Sequence, residues 1–99
     1  MNLPIKIDKD AIAAFCEKHH IVKLALFGSV LTDNFREDSD VDVLVDFDQA
    51  HIPSLFALAR MERELSGLLG RKVDMRTAED LSKYFRDRVV QSALVQYAA

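Results

Sequence analysis

The chain is organised around two neighbouring stretches, IVKLALFGS at residues 21–29 and, nine residues further on, SDVDVLVDF at residues 39–47. The first is rich in β-forming side chains and almost continuously apolar, which predicts a buried strand over 21–27 that ends at Gly28. In the second, valines alternate with acidic residues and a leucine, so the two sets should leave opposite faces of a strand over 41–47. Between the strands lie turn and cap formers, and we expect a connection with one helical turn after Gly28.

The flanking sequence predicts three helices and a third strand. Residues 8–20 place apolar side chains at helical spacing behind a candidate N-cap. Residues 53–69 carry leucines along one side and stop before Gly70, a typical helix-ending residue. We expect a short strand over 71–76 and a last helix over about 78–97. This order predicts a small fold of the α/β (α+β) class, with a mixed short β-sheet of three or slightly more strands flanked by helices.

Composition limits the class of protein and its partners. Hydrophobic residues at 49% and charged residues at 29% are typical of a globular chain, and we expect a single domain over residues 1–99. Thirteen Lys and Arg against sixteen Asp and Glu give a net charge of −3, which does not favour a nucleic-acid backbone or an anionic membrane. The lone cysteine, Cys16, excludes an internal disulfide and a Cys-rich zinc site. Without a signal peptide or membrane-spanning run, the expected compartment is the cytoplasm.

Gly28 and Ser29 are candidate phosphate-binding residues. A glycine directly after a buried strand allows backbone N–H groups to approach a phosphate closely. The helical turn that follows would direct its N-terminal dipole at the same oxygens, and Ser29 adds a hydroxyl donor.

Asp40 and Asp42 are candidate metal ligands at the start of the second strand. Their i, i+2 spacing sends both side chains from one face, with backbones roughly 6.6 Å apart. At this separation two carboxylates repel by about 2 kcal/mol at an effective dielectric of about 20, and a divalent cation offsets that repulsion. An all-oxygen ligand set favours Mg²⁺ or Mn²⁺. Asp74 would supply a third carboxylate if the second and third strands are neighbours.

Other interpretations of these residues compete with the metal site. Asp and Ser clusters most often form solvated turns and caps, so the segment DSDVD has little weight alone. An EF-hand beginning at Asp38 is excluded, because Val43 would replace the required glycine and Gln49 the required glutamate. No P-loop or dinucleotide fingerprint occurs. Cys16 is interpreted as a core residue, and His51 is only a weak candidate for a general base.

Together, Gly28-Ser29, the Ser39-Asp40-Val41-Asp42 segment and the strand acid Asp74 resemble the minimal nucleotidyltransferase domain of the DNA polymerase β superfamily, in particular the MntA-like antitoxins paired with HEPN-type toxins. The resemblance implies Mg²⁺-dependent transfer of AMP from ATP to a tyrosine of a HEPN-type ribonuclease, as in a type VII antitoxin. It implies that Gly28 and Ser29 hold the triphosphate. It also implies that Asp40 and Asp42 bind two Mg²⁺ ions, and that Asp74 completes the site and helps to activate the acceptor oxygen.

The loop after Gly28-Ser29 departs from the family pattern. Many members have an arginine and a glycine shortly after Gly-Ser, whereas this chain continues Val-Leu-Thr-Asp-Asn. Arg36 or Lys72 could supply the missing positive charge. The alternative function is therefore a catalytically weak or inactive domain that neutralises its toxin by direct binding. A third interpretation, nucleotide transfer to an antibiotic or an RNA end, would use the same site.

Overall fold

The computed structural model describes residues 3–99. A four-stranded sheet lies at its centre, in the spatial order β3-β2-β1-β4, and only the β2–β3 pair is parallel. The strands are β1 (Ile21–Phe27), β2 (Val41–Phe47), β3 (Val73–Arg76) and β4 (Leu94–Ala98), and the helices are α1 (Lys9–Lys18), α2 (Leu55–Leu69) and α3 (Arg86–Ser92). The predicted mixed sheet flanked by helices is confirmed.

The first two helices begin and end where the sequence predicts them, give or take two residues. The Asp8 carboxylate accepts hydrogen bonds from the backbone N–H groups of Asp10 and Ala11, which caps α1. The Ser54 hydroxyl accepts one from Ala57 N–H at 3.1 Å and caps α2. At the other end of α2, Gly70 adopts the left-handed conformation with φ of 67°.

The prediction of one final helix over about 78–97 is wrong. Thr77 and Asp80 do form a capping box, but the helical turn they begin spans only Ala78–Asp80. A second short helix, α3, follows, and the chain then extends into β4. β4 pairs antiparallel with β1, so its backbone hydrogen bonds come from a strand about seventy residues earlier. Local helical periodicity did not reveal that partner.

The hydrophobic core lies on one face of the sheet, where α1 and α2 cover it. Buried members come from every central element: Ile12, Phe15 and Cys16 of α1, Leu24 and Leu26 of β1, Val41, Val43 and Val45 of β2, Met61 and Leu65 of α2, and Val73 and Met75 of β3. Between residues 3 and 99, no helix combines the length and apolar character that a membrane span requires. The opposite face, called the open face below, carries the half-buried or exposed Asp42, Asp46, Asp74 and Arg76. Leu44 of β2 is also on this face, where it is buried and lines a small cavity with Val90 of α3.

Candidate active site

The three predicted acidic residues lie at one end of the sheet. Asp40 directly precedes β2, Asp42 is its second residue, and Asp74 is the second residue of β3. The parallel register pairs Asp42 with Asp74, since Val41 faces Val73 one position earlier. The sequence prediction that Asp74 would join the other two acids required β2 and β3 to be neighbours, and they are.

Two side chains of α2 fix β3 at this edge of the sheet. The Ser66 hydroxyl accepts a hydrogen bond from Val73 N–H at 2.9 Å. The Glu62 carboxylate accepts one from Met75 N–H at 2.8 Å. These bonds satisfy the outward N–H groups on both sides of Asp74, which an edge strand otherwise leaves unpaired. The backbone of Asp74 is therefore held between β2 and α2.

Gly28 approaches the Asp42 carboxylate so closely that no side chain fits there. It follows β1 with φ of 79°, a conformation that residues with a Cβ rarely adopt. A Cβ placed on Gly28 would overlap the carboxylate oxygen of Asp42. Because Phe27 pairs with Asp42 across β1 and β2, this close approach follows from the sheet register.

The loop after Gly28 is a 3₁₀ turn over Gly28–Leu31, which matches the predicted single helical turn. Val30 anchors it in the core with 1% of its surface exposed. The Ser29 carbonyl accepts hydrogen bonds from both the backbone N–H and the hydroxyl of Thr32, each at 2.9 Å. Ser29 thus stands on a fixed backbone beside the acidic residues.

The surroundings of Asp42 disfavour the ionised form of its carboxyl group. Partial burial, followed by the nearby charges of Asp74 and Asp40, raises the pKa of its carboxyl above the ordinary value, and Arg76 partly offsets the effect. Negative charge is therefore concentrated at this point of the open face. A bound cation would relieve it.

Arg76 is a site residue that the sequence analysis missed. Its guanidinium donates from Nε to Asp74 Oδ1 at 3.2 Å and from Nη2 to Asp74 Oδ2 at 3.1 Å. Bonding to the Asp74 carboxylate raises the pKa of Arg76 further above its already high value. The i, i+2 spacing along the predicted third strand was the available signal, because it places both side chains on one face.

The two residues expected to replace the missing loop arginine have different surroundings. The Lys72 ammonium lies 3.9 Å from Asp40 Oδ2, so it reaches the acidic residues. Arg36 contributes its carbonyl, which accepts a hydrogen bond from the Arg71 guanidinium at 3.0 Å. Arg71 also bonds the Glu37 carbonyl and lies over the Phe35 ring, which fixes the loop before Asp40. Of these two residues, Lys72 is therefore the one whose side-chain charge contacts an acid of the candidate site.

The donor set suits a hard divalent cation. All three candidate ligands are carboxylates, the class that Mg²⁺ prefers. Within residues 3–99, no three His, Cys, Asp or Glu side chains are already grouped around one metal position. Asp74 instead binds Arg76 through both oxygens, so a metal ion on Asp74 would stand close to a second cation.

A sequence profile for the nucleotidyltransferase domain family matches residues 9–95. The chain belongs to this family. The match runs from the first residue of α1 into β4 and includes the glycine-serine turn and all three acidic residues. The family resemblance drawn from the sequence is thereby confirmed.

Relatives and solved structures agree with this membership. The protein adenylyltransferase MntA of Thermococcus cleftensis is 42% identical over 59 residues, which are 60% of this chain and 58% of that protein. A solved structure provisionally described as a minimal nucleotidyltransferase is 36% identical, covers 87% of this chain and 86% of its own, and has a TM-score of 0.71. The complex of a tri-AMPylated HEPN toxin of Shewanella oneidensis with its MNT antitoxin is similar in fold alone, at 19% identity and a TM-score of 0.66 over 92% of this chain and 70% of the matched one.

The nucleotidyltransferase also has a surface groove, which lies away from the three acidic residues. It encloses about 730 Å³ near the carboxyl end of β2, where its lining includes Phe47, Asp48, Ile52 and Leu58. Asp40 and Asp42 stand at the opposite end of the same strand. The candidate acidic residues therefore do not line this groove.

Proposed function

We propose that this chain is a protein adenylyltransferase that transfers AMP from ATP to a tyrosine hydroxyl of a HEPN-type toxin and so acts as its antitoxin. Asp40, Asp42 and Asp74 serve as the catalytic and metal-binding residues in this proposal, and Gly28 and Ser29 hold the triphosphate. The observation that carries it is the pairing of Asp42 with Asp74 beside the close approach of Gly28. Residues 1–99 act as a single minimal nucleotidyltransferase domain, in the cytoplasm.

The reaction exchanges one phosphorus–oxygen bond for another. The tyrosine oxygen bonds to the α-phosphorus of ATP, the bond from that phosphorus to the oxygen bridging the α- and β-phosphates breaks, and pyrophosphate leaves with that oxygen. The proton of the tyrosine hydroxyl passes to solvent water. Two Mg²⁺ ions bound by the three acids would neutralise phosphate charge and lower the pKa of the acceptor hydroxyl. The chain's own contribution is to hold the carboxylates on a rigid sheet and to direct the Ser29 hydroxyl and the adjacent backbone N–H groups at the phosphates.

The names of the similar proteins support a protein acceptor and a HEPN-type partner. The Thermococcus relative is a protein adenylyltransferase, and the Shewanella complex pairs an MNT antitoxin with an AMPylated HEPN toxin. An open sheet face also suits a macromolecular acceptor better than an enclosed pocket does, because a tyrosine on a protein surface must reach the α-phosphate.

A second candidate is neutralisation by binding alone. The observation that favours it is the Arg76–Asp74 ion pair, which occupies both oxygens of the third acid. In that case the fold would persist with little or no transfer activity.

The two candidates differ in whether label moves to the partner. We expect ATP labelled at the α-phosphate, with Mg²⁺ and a HEPN-type toxin as the partner, to yield a tyrosine-linked AMP adduct on that partner, detectable by mass spectrometry. Asp40→Ala and Asp42→Ala should abolish the adduct. Asp46→Ala is the matched control, because Asp46 is an exposed acid on the same strand and face. Toxin inhibition without label, unchanged in both variants, would establish the binding function instead.

A further inference from the structure

Arg76 forms a two-point contact with the Asp74 carboxylate. Nε and Nη2 each bond a different oxygen, at 3.2 and 3.1 Å. About half of the Arg76 side chain remains exposed, at 48%, against 36% for Asp74. This forked arrangement is the geometry in which arginine binds carboxylates most specifically, and the same fork suits phosphate.

The contact uses the oxygens that a metal ion would need. A cation bound between Asp42 and Asp74 must take at least one Asp74 oxygen, and both already accept guanidinium protons. Each oxygen keeps a further lone pair, but a divalent cation on Asp74 would stand close to the guanidinium, and the repulsion between the two cations makes them compete for this carboxylate. The negative charge of Asp42 and Asp40 favours either cation at this position.

The triphosphate of a bound nucleotide would offer the released guanidinium a new acceptor. Residues 28–34 contain no lysine or arginine, so the phosphate-binding loop offers no positive side chain of its own. Lys72 is 80% exposed and lies at 3.9 Å from Asp40, a single and distant contact. Arg76 is thus the cation that contacts these acids at two points, with a fork that also suits phosphate oxygens.

We propose that Arg76 occupies the Asp74 site in place of metal and exchanges to the phosphates when nucleotide binds, releasing Asp74 to the metal. The inference rests on the proposed function, because it assumes that metal and nucleotide meet at these acids. Its consequence is cooperative binding, in which each ligand raises the affinity for the other.

The test measures two affinities that should move in opposite directions. Mn²⁺ alone is titrated by its electron paramagnetic resonance signal, and AMP-PNP is titrated at a fixed Mn²⁺ concentration. In Arg76→Gln, the Mn²⁺ affinity without nucleotide should rise by about threefold to fivefold, the range expected for loss of a partly exposed ion pair. The AMP-PNP affinity should fall by at least the same factor, because the phosphates lose a partner.

Two further variants separate the forked contact from simple charge. Lys72→Gln also removes one positive charge near the acids, and it should change both affinities by less than about twofold because its contact is single and exposed. Arg76→Lys keeps the charge and loses the fork, so its values should fall between those of the wild type and Arg76→Gln. It also provides the comparison if Arg76→Gln folds poorly by circular dichroism.

The outcomes distinguish failure of the Arg76 exchange from failure of the proposed adenylyltransferase function. Equal effects of Arg76→Gln and Lys72→Gln, or weaker Mn²⁺ binding in Arg76→Gln, would overturn the exchange. If wild type binds both ligands and transfers AMP while Arg76→Gln is indistinguishable from it, only the inference fails. If wild type binds neither Mn²⁺ nor AMP-PNP, the proposed function fails as well.

Discussion

Asp42 of β2 and Asp74 of β3 are directly paired residues of adjacent parallel strands, and both leave the open face. Neighbouring strands lie about 4.8 Å apart, so the two carboxylates are held near each other by sheet hydrogen bonds rather than by a flexible loop. On the other side of β2, Phe27 pairs with Asp42 and brings Gly28 against it. The strand register therefore brings the candidate metal ligands and the candidate phosphate-binding loop together.

Asp42→Asn should stabilise the metal-free protein at neutral pH. Burial and the neighbouring acids raise the pKa of Asp42 in the folded state, so folding favours the protonated carboxyl. The contribution of Asp42 to the free energy of unfolding is therefore fully present below its pKa in the unfolded chain, and it is lost as pH rises through its pKa in the folded protein. In thermal melts without divalent ions, the variant should gain most near pH 7 and lose that gain towards about pH 4. Asp46→Asn, at an exposed position on the same strand, controls for charge removal. A variant destabilised equally at both pH values would contradict this origin of the shift.

Gly28→Ala should destabilise the protein more than Gly70→Ala. Both glycines have positive φ, but a Cβ at Gly28 meets the Asp42 carboxylate whereas one at Gly70 meets nothing within 4 Å. Backbone strain alone should cost about 1–2 kcal/mol in urea denaturation of Gly70→Ala. The cost in Gly28→Ala should exceed that value and be accompanied by loss of AMP-PNP binding. Equal costs would mean that Asp42 moves aside freely.

Glu62→Leu should loosen β3 around Asp74. The Glu62 carboxylate accepts the Met75 N–H bond at 2.8 Å, and its loss should cost about 1–3 kcal/mol because a partly buried donor is left unpaired. Native-state hydrogen exchange should show faster exchange at Met75, and AMP transfer should fall with it. Glu62→Gln retains an acceptor and should stay close to wild type in both measurements. Unchanged Met75 protection in Glu62→Leu would argue against this role.

Cys16 should be unreactive in the folded protein. Its thiol is fully buried, and burial, helped by Glu17, raises its pKa to about 11. Iodoacetamide at about pH 8 should therefore alkylate the unfolded chain readily and the native chain at least about 100-fold more slowly, since little thiolate forms. Because the pKa is raised, the contribution of the Cys16 thiol to the free energy of unfolding is fully present below its pKa in the unfolded chain. This contribution declines as pH rises towards about 11. Rapid alkylation of native protein would show that α1 opens locally.

Much of the fold could be predicted from local pattern. β1, β2 and α2 combine strong apolar periodicity with clear termini such as Gly28 and Gly70, and their observed bounds agree with the predictions. The last twenty residues could not be predicted in the same way. Their apolar spacing resembles a helix, but the pairing of Val95 and Tyr97 with β1 supplies backbone bonds that outweigh local preference.

The candidate site also has some features that local sequence determines and others that only tertiary contacts determine. The amino-acid sequence by itself determined which residue types were available and placed two acids, Asp40 and Asp42, at i and i+2 where the second strand begins, because strand-forming pattern is a local property of the chain. Only the tertiary structure decided that Asp74 stands opposite Asp42, that Gly28 closes on the same carboxylate and that Arg76 occupies the third acid. Those relationships depend on strand order and register, which arise from contacts between segments distant in the chain.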